Sequence, residues 1–191
     1  MATDAVRRDA GLELRSARLL IRPLAIEDAP ALQAYRSDPE VARYQSWTWF
    51  DEIDAACLAG AQDSLAPDTP GTWFQLALVE AASGTLVGDC GLHFLASDPR
   101  QVELGITLAR PRQGEGFARE AVQCVLGYLF GSLEKHRVYA LTDARNDAAA
   151  GLFRGLGFRQ EAHFVEHVWS EDGYGSEFLF AMLRREWLNC G

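Results

Sequence analysis

Lysine is almost missing from this chain of 191 residues: Lys135 is the only one, against 17 arginines. Histidine follows Lys135, so the motif G-x-x-x-x-G-K-[ST] cannot form around it, and P-loop nucleotide chemistry is excluded. A Schiff-base enzyme would have to use this one lysine. The residue lies in the polar stretch SLEKHR, which is typical of a solvated loop, so we expect Lys135 to be an exposed surface charge.

Paired cysteines and long apolar runs are missing as well. The four cysteines, Cys57, Cys90, Cys124 and Cys190, are far apart and form no C-x-x-C pair, which predicts reduced thiols. No apolar run approaches the ~20 residues of a membrane span, and the N-terminus has no signal-peptide core. We therefore expect a cytoplasmic protein without a metal ion or a membrane partner.

Positive charge is in short supply, because the net charge is −9. This balance disfavours binding to nucleic acid and favours cationic or neutral partners. With 48% hydrophobic residues, a chain of this length buries a sufficient core without disulfides or metals. The sequence predicts a flexible polar N-terminus at 1–13 and a single domain at 14–191.

Hydrophobic periodicity predicts an α+β protein with a mixed sheet. Strands are predicted at 14–24, 73–80, 85–95, 101–109, 137–142, 159–169 and 176–183. Helices are predicted at 27–36, 51–64, 115–133 and 146–156. The stretch ASGT between the second and third strands indicates a hairpin turn.

The most informative segment is QVELGITLARPRQGEGFARE at 101–120, which predicts a strand, a loop and a helix. Gly114 and Gly116 let the backbone approach a ligand closely, and the free N–H groups that begin the helix attract anions. Three arginines add positive charge around the loop: Arg110, Arg112 and Arg119. The pattern predicts a site for phosphate oxygens. A glycine-rich turn without a ligand is the alternative, and a dinucleotide site would need a small residue where Arg119 stands.

Several motifs resemble those of the GNAT superfamily of N-acetyltransferases, which bind acetyl-coenzyme A. QGEGFA at 113–118 resembles the signature Q/R-x-x-G-x-G/A, and NDAAAGLFRGLGF at 146–158 resembles the motif N-x-x-S/A-x-x-L-Y/L-E-K-x-G-F. LRSARLLIRPLAIEDAPAL resembles the family's first strand and helix, and GTLVGDCGLHF its central hairpin. EDGYGSEFLFAMLRREW resembles the closing hairpin of the subgroup related to ribosomal-protein N-terminal (alanine) acetyltransferases. The resemblance implies the GNAT acyl-CoA N-acyltransferase fold, a mixed, mostly antiparallel sheet of seven strands flanked by about four helices.

The resemblance also implies where acetyl-CoA binds. In the family, the pyrophosphate contacts the backbone amides of the signature loop, and the pantetheine arm pairs with the preceding strand where that strand splays from its neighbour. The cofactor-binding residues carried over to this chain are Ile106, Thr107, Leu108, Gln113, Gly114, Gly116, Phe117, Ala118, Arg119, Asn146, Phe153 and Arg154.

Glu103 begins the E-x-G-[aromatic] pattern of this subgroup, although Ile106 replaces the aromatic residue. The resemblance makes Glu103 the candidate catalytic base, which takes a proton from the acceptor ammonium. The alternative is a glutamate paired with a nearby arginine. Many family members carry a tyrosine at the position of Phe153 to protonate the leaving thiolate, a role that phenylalanine cannot fill.

Taken together, the resemblance implies a cytoplasmic bacterial acyltransferase. It would move an acetyl group from acetyl-CoA to a primary amine by direct attack in a ternary complex. The acceptor is left open between a peptide with a free N-terminal α-amine and a small-molecule amine such as an aminoglycoside or a polyamine. A CoA-binding regulatory domain without turnover is the alternative, and a homodimer is left open.

Two further patterns compete for a functional role. HFVEH at 163–167 matches the zinc-protease motif H-x-x-E-H, but its flanks alternate as a strand, which would place the two histidines about 13 Å apart. They are then either surface residues or part of the acceptor cleft. The aromatic residues Tyr44, Trp47, Trp49 and Phe50 form either core packing or an acceptor wall. No G-x-S-x-G appears, which excludes an esterase nucleophile elbow.

Overall fold

The computed structural model describes residues 11–170 and 173–189. Most of the predicted flexible N-terminus (residues 1–10), Cys190 and the first two residues of the turn EDGYG lie outside the described residues. Within the described part, Cys57, Cys90 and Cys124 are free thiols. None of the helices described there has the length and apolar character that crossing a membrane requires.

The described residues form eight strands in one sheet and six α-helices. The strands are β1 (Leu14–Arg15), β2 (Leu19–Pro23), β3 (Thr72–Glu80), β4 (Leu86–Phe94), β5 (Gln101–Leu108), β6 (Arg137–Asp143), β7 (Arg159–Ser170) and β8 (Gly173–Leu183). The helices are α1 (Ala29–Arg36), α2 (Pro39–Ala42), α3 (Glu52–Gly60), α4 (Phe117–Leu126), α5 (Asp147–Gly155) and α6 (Arg184–Asn189). The strand order is β1-β2-β3-β4-β5-β6-β8-β7, and every neighbouring pair is antiparallel except β5 and β6.

The predicted α+β class with a mixed sheet is confirmed, but the strand count of seven was too low. The predicted strand 14–24 is two strands, because the chain turns between Arg15 and Leu19. Glu120 of α4 holds this turn: its Oε1 accepts hydrogen bonds from Ser16 Oγ at 2.7 Å and from Arg18 N at 2.6 Å. Glu120 lies more than 100 residues later in the chain, so no local pattern indicates the turn. The helices α2 and α6, of four and six residues, are too short to show a period.

Helices cover one face of the sheet along most of its strands, but on the other face they leave part of the sheet open. Side chains alternate between faces along each strand, and one face packs against α4 and α5 in the larger core. That core includes Phe74, Leu92, Leu104, Val122, Phe153 and Phe180. On the other face, α1 and α3 pack over β3 through residues such as Leu32, Ala59 and Ala77. The strands β5, β6 and β8 line a cavity on this second face.

β5 and β6 separate soon after they begin. They pair only where Gln101–Glu103 meets Arg137–Tyr139, although β5 continues to Leu108 and β6 to Asp143. Beyond that point β5 stays paired with β4, and β6 stays paired with β8. At Gly88 of β4 a Cβ atom would lie 2.2 Å from Thr107 O, so glycine is required for β4 to approach β5 this closely. A gap therefore opens in the sheet, and the backbone groups of residues 104–108 that face β6 have no strand partner.

A buried ion pair fastens α1 to the sheet. Arg36 Nη2 lies 2.5 Å from Asp89 Oδ2, and both residues are buried. Tyr35 also donates to Asp89, and Trp47 Nε1 donates to the carbonyl oxygen of Arg36 at 3.2 Å. Burial, together with the charge of Asp89, raises the pKa of Tyr35, so its hydroxyl stays protonated and remains a donor. These contacts attach both α1 and the loop around Trp47 to β4.

The expectation of an exposed Lys135 was wrong: the residue is only 5% exposed. Its Nζ donates to the carboxylate of Asp68 and, at 2.7 Å, to the carbonyl oxygen of Pro99. The ammonium also lies 5.3 Å from the centroid of the Phe94 ring. All three partners are distant in sequence, so the polar composition of SLEKHR does not indicate this role.

The Arg36–Asp89 pair yields a prediction about stability. Arg36→Met leaves the Asp89 carboxylate buried without its cation, which we expect to lower the free energy of unfolding by about 3–5 kcal/mol. Urea unfolding measures the change. The matched control is Arg15→Met, which removes an ion pair to Glu13 on the surface and costs under about 1 kcal/mol. Equal losses in the two variants would contradict the role given to the buried pair.

Candidate active site

Two cavities adjoin at the gap between β5 and β6. The first, of about 660 Å³, lies on the sheet face over β4, β5, β6 and β8, and we call it the sheet-face cavity. The second, of about 600 Å³, lies beside the loop with Gly114 and Gly116, and we call it the glycine-loop cavity. They share five lining residues: Arg43, Tyr44, Gln45, Ile106 and Thr107. One ligand can therefore reach from the glycine loop to the sheet face.

The glycine loop presents backbone N–H groups to its cavity. Gly114 and Gly116 have φ of +79° and +85°, a left-handed conformation that favours glycine. Gly116 is the N-cap of α4 and offers no side chain to cap it. The N–H groups of residues 117–119 have no hydrogen-bond acceptor in the described part of the chain. Free N–H donors at the positive end of a helix dipole are an arrangement that suits an anion.

Arginines give the glycine-loop cavity a positive lining. Arg43, Arg110 and Arg119 line it together with a single acidic residue, Glu40. Arg119 is positioned by α5, because its Nη1 donates to the carbonyl oxygen of Gly155 at 2.9 Å. The third arginine expected at the loop, Arg112, is instead 3.1 Å from Glu80 and does not line the cavity.

The structure brings together nine of the twelve residues predicted to bind the cofactor. These nine line the glycine-loop cavity: Ile106, Thr107, Leu108, Gln113, Gly114, Gly116, Ala118, Arg119 and Asn146. On α5 the helical period turns Asn146, Ala149 and Leu152 toward the cavity. Asn146 also caps this helix, since its Oδ1 accepts from Ala149 N at 3.0 Å.

The other three predicted residues lie elsewhere. The rings of Phe117 and Phe153 are buried in the core, and Phe153 packs 5.2 Å from Phe158 and 5.9 Å from Phe180. Arg154 donates to Gln160 Oε1 at 2.8 Å on the surface. The ring at position 153, where the family motif has tyrosine, therefore lines neither cavity.

Glu103 lies in a row of four side chains on the sheet face. Trp73, His93, Glu103 and Tyr139 stand opposite one another on β3, β4, β5 and β6. The ring of His93 stacks on Trp73 with centroids 4.9 Å apart, and His93 Nδ1 lies 3.7 Å from Glu103 Oε2. Tyr139 donates to the same Oε2 at 3.1 Å. The partners of Glu103 are thus a histidine and a tyrosine rather than an arginine, and its Oε1 has no partner among the described residues.

Tyr139 keeps its proton at neutral pH. Burial, with the charge of Glu103 beside it, raises the pKa of Tyr139 to about 12. Its hydroxyl therefore remains a hydrogen-bond donor and fixes the orientation of the Glu103 carboxylate.

Two more carboxylates line the sheet-face cavity, at the outer edge of the gap. Asp143 and Glu177 stand opposite each other on β6 and β8. Asp143 pairs with Arg145 at 2.7 Å, whereas Glu177 lies 3.2 Å from His167 Nε2. Burial raises the pKa of Glu177, and the negative charges of Asp143 and Glu103 raise it further, against the effect of His167. With Asp89, four carboxylates line this cavity against three arginines, Arg36, Arg43 and Arg145, which leaves a small excess of negative charge.

The aromatic segment supplies part of the wall and part of the core. Tyr44 and Trp47 line the sheet-face cavity, Phe50 is buried in the core under α1, and Trp49 is 78% exposed. Tyr44 also lines the glycine-loop cavity, and its hydroxyl has no hydrogen-bond partner among the described residues. The sequence singled out this segment but gave no reason to separate Tyr44 from its neighbours.

The segment HFVEH is a strand, as its alternating flanks predicted, and lies within β7. His163 packs against Phe178 with ring centroids 4.8 Å apart, while His167 reaches Glu177. Neither histidine lines the sheet-face cavity directly. Across residues 11–170 and 173–189, no three His, Cys, Asp or Glu side chains are grouped to hold a metal ion.

Known proteins are similar to this chain in sequence and in fold. The family model described as an acetyltransferase (GNAT) domain matches residues 18–159. The uncharacterized N-acetyltransferase p20 of Bacillus licheniformis is 29% identical over 175 residues, which are 91% of this chain and 97% of the relative.

Two solved structures illustrate the likeness of fold. The spermidine N-acetyltransferase from Vibrio cholerae, in complex with CoA and spermine, superposes with a TM-score of 0.79 at 23% identity, over 91% of this chain and 99% of that one. The ribosomal-protein-S5-alanine acetyltransferase from Vibrio fischeri gives 0.78 at 18% identity, over 92% and 98%. The resemblance read from the sequence is confirmed, and the match to the family model covers more than half of the chain. The chain belongs to the GNAT family and is an N-acetyltransferase.

Proposed function

We propose that this enzyme transfers the acetyl group of acetyl-CoA directly to a small primary amine that carries a second positive charge. One observation carries the proposal: the gap between β5 and β6 joins a cavity lined by free N–H groups and arginines to a cavity in which carboxylates outnumber arginines by four to three. A polyanionic donor and a cationic acceptor thus have complementary surfaces on opposite sides of one opening.

The glycine-loop cavity fits coenzyme A. The free N–H groups of residues 117–119 would hold the phosphates, with Arg110 and Arg119 as counter-charges. At Gly114 a Cβ atom would meet nothing within 4 Å, so the backbone there is open to a ligand. The edge of β5 that faces the gap at residues 104–107 has no strand partner and offers hydrogen-bond partners for the amides of the pantetheine arm. When bound, acetyl-CoA supplies the acetyl thioester.

Glu103 is the proposed base. Its Oε1 is free to take a proton from the acceptor ammonium, and its Oε2 is held by Tyr139 and lies beside His93. Because both neighbours contact one oxygen, the other stays directed to the ligand. A neutral amine then forms next to the gap.

Tyr44 is the proposed proton donor. It lines both cavities, and its hydroxyl is not engaged by the described part of the protein. Phe153, in the core, has no hydroxyl to offer. A tyrosine at the junction of the cavities supplies the acid that the family motif lacks in this chain.

Charge balance supports an acceptor with two amino groups. Of the acidic residues that line the sheet-face cavity, Asp89 and Asp143 have arginine partners, while among the described cationic side chains Glu103 and Glu177 pair only with histidines. Arg43, which also lines this cavity, lies 3.9 Å from Glu40. Two carboxylates without a permanent counter-charge favour a dication over a single ammonium. The Vibrio cholerae fold neighbour, whose structure contains spermine, supports the same class. A peptide N-terminus offers one ammonium and is the second candidate.

The glycine-loop assignment can be tested with a binding measurement. We expect acetyl-CoA to raise the melting temperature of the enzyme and Gly116→Val to abolish that rise, because valine is strained at φ +85° and crowds the anion site. The control is Gly84→Val, which has φ +70° in the β3–β4 turn outside both cavities and should keep the shift. A full acetyl-CoA shift in Gly116→Val would refute the assignment.

The base is tested by Glu103→Gln. We expect kcat, followed as release of free CoA thiol, to fall by ~10²- to 10⁴-fold while the thermal shift by acetyl-CoA is unchanged. Glu52→Gln, on the exposed surface of α3, is the control and should keep the wild-type rate. If Glu103→Gln retains more than about half of the rate, the base lies elsewhere. No thiol release by the wild-type enzyme with any amine would favour a CoA-binding domain without turnover.

The acid is tested by Tyr44→Phe. Removal of one hydroxyl should lower kcat at least about tenfold and leave acetyl-CoA binding intact. Tyr174→Phe, on the exposed part of β8 outside both cavities, serves as the control. The same kcat in both variants would mean that another group provides the proton.

A further inference from the structure

The row of the sheet next to Glu103 holds two glycines. Gln75, Gly91 and Gly105 stand opposite one another on β3, β4 and β5, and all three line the sheet-face cavity. Since glycine has no side chain, the cavity floor over β4 and β5 is bare backbone here. We call these two residues the glycine floor.

Packing does not explain the absence of a side chain at Gly105. A Cβ atom there would meet no other atom within 4 Å, and the residue is exposed with ordinary strand geometry. Glycine weakens a strand relative to alanine. Because the fold has room for a methyl group at this position, the space over Gly105 is available to a ligand.

At the closed end of the floor lies a buried polar group without a partner. Gln75 is only 8% exposed, and its Oε1 is fully buried with no hydrogen-bond donor in the described structure. Its backbone N–H is held by Gln62 Oε1 at 2.9 Å, which fixes the strand position. A Cβ atom at Gly91 would come within 2.7 Å of this Oε1, so the glycine leaves room for the carboxamide. An unpaired buried carboxamide costs stability, and a donor on a ligand would relieve that cost.

We propose that Gln75 is a specificity-determining residue for the acceptor, which rests on the function proposed above. A half-turn of its carboxamide exchanges the positions of oxygen and nitrogen, and Oε1 then accepts a hydrogen bond from a second N–H or O–H group of the amine substrate. The substrate's chain lies over the glycine floor, and its reacting amine is at Glu103. The ligand class is a primary amine that carries another hydrogen-bond donor a few bonds away.

The register of the sheet sets the scale of this acceptor. Gln75 is level with Gly105, which lies two strands away on β5 and two residues after Glu103. The spacing of strands and of residues along a strand then places the Cα atoms of Gln75 and Glu103 about 12 Å apart. Both side chains enter the same cavity and shorten the span between their polar ends. A four-carbon chain between the two donor groups suits this spacing. Gln75 is neutral, so it accepts from charged and uncharged donors alike, whereas Glu177 favours a charge.

Three matched acceptors separate these contributions: butylamine, aminobutanol and diaminobutane, which carry no second donor, a neutral one and a charged one. In Gln75→Met we expect the KM for aminobutanol to rise about tenfold, with the KM for butylamine and for acetyl-CoA unchanged. Glu177 lies on β8, on the other side of Glu103 from Gln75, and attracts the charged end of diaminobutane instead. In Glu177→Gln only the KM for diaminobutane should rise. Thr142→Val is the matched control, since Thr142 Oγ1 is also buried and unpartnered but the residue lines neither cavity.

Stability distinguishes this role from a structural one. Removing an unpartnered buried polar group should leave the melting temperature of Gln75→Met equal to or above that of the wild-type enzyme, as for Thr142→Val. Should Gln75→Met not fold, Gly105→Ala provides the second test. It should fold normally, and its methyl group on the floor should raise the KM for aminobutanol.

The proposal is overturned if Gln75→Met, or Gly105→Ala in its place, has the same KM for aminobutanol as the wild-type enzyme. An equal rise of KM for all three amines in Gln75→Met would overturn it too. If the wild-type enzyme acetylates none of the three, the proposed function fails, and calorimetry in the presence of CoA then tests Gln75 alone. Tighter binding of aminobutanol than of butylamine, lost in Gln75→Met, supports the inference. Equal binding of the two amines by the wild-type enzyme overturns it.

Discussion

Only three residue pairs join β5 to β6 in the described structure, and the last of them is Glu103 with Tyr139. The candidate active site depends on the pairing ending at this point. Gly88 allows β4 to follow β5 closely to the end of that strand, while β8 holds β6 along its full length. The two halves of the sheet therefore diverge beyond these three pairs. Glu103 is the last residue of β5 that pairs with β6, so its carboxylate lies where these two strands part, in the sheet-face cavity. A longer β5–β6 ladder would close the gap and remove the backbone surface that faces it.

The chain is acidic overall, yet it places opposite charges on the two sides of this gap. Arginines and free N–H groups lie at the glycine loop, and unmatched carboxylates lie on the sheet face. The charges of the buried Arg36–Asp89 pair cancel at the sheet-face cavity, and the pair holds the loop that carries Tyr44 and Trp47. The proposed donor and acceptor, which carry opposite charges, would therefore enter from opposite sides of one opening with their reactive ends facing each other.

The parts of the site that the sequence predicted are those encoded locally. The strand–glycine loop–helix segment determines its own geometry, so most of the residues predicted around it do line one cavity. Phe153 was placed beside the cofactor because its motif position was known, but the direction of its ring depends on packing against Phe158 and Phe180. The turn held by Glu120 and the junction position of Tyr44 likewise depend on contacts between distant segments. Contacts between segments that are distant in the sequence cannot be predicted from its periodicity or from the spacing of its motifs.

The burial of Lys135 bears on how such an enzyme coexists with its own reagent. Acetyl thioesters acetylate exposed amino side chains of proteins without any catalyst. An acetyltransferase repeatedly binds such a thioester as its substrate. This chain has one lysine, and its nitrogen is enclosed by Asp68 and the Pro99 carbonyl under a loop. Arginine, which the chain uses everywhere else for positive charge, is not a nucleophile at neutral pH. Uncatalysed acetylation of side chains therefore cannot neutralise the positive charges on its surface. Dyes and resins that couple to lysine side chains should react very little with this protein.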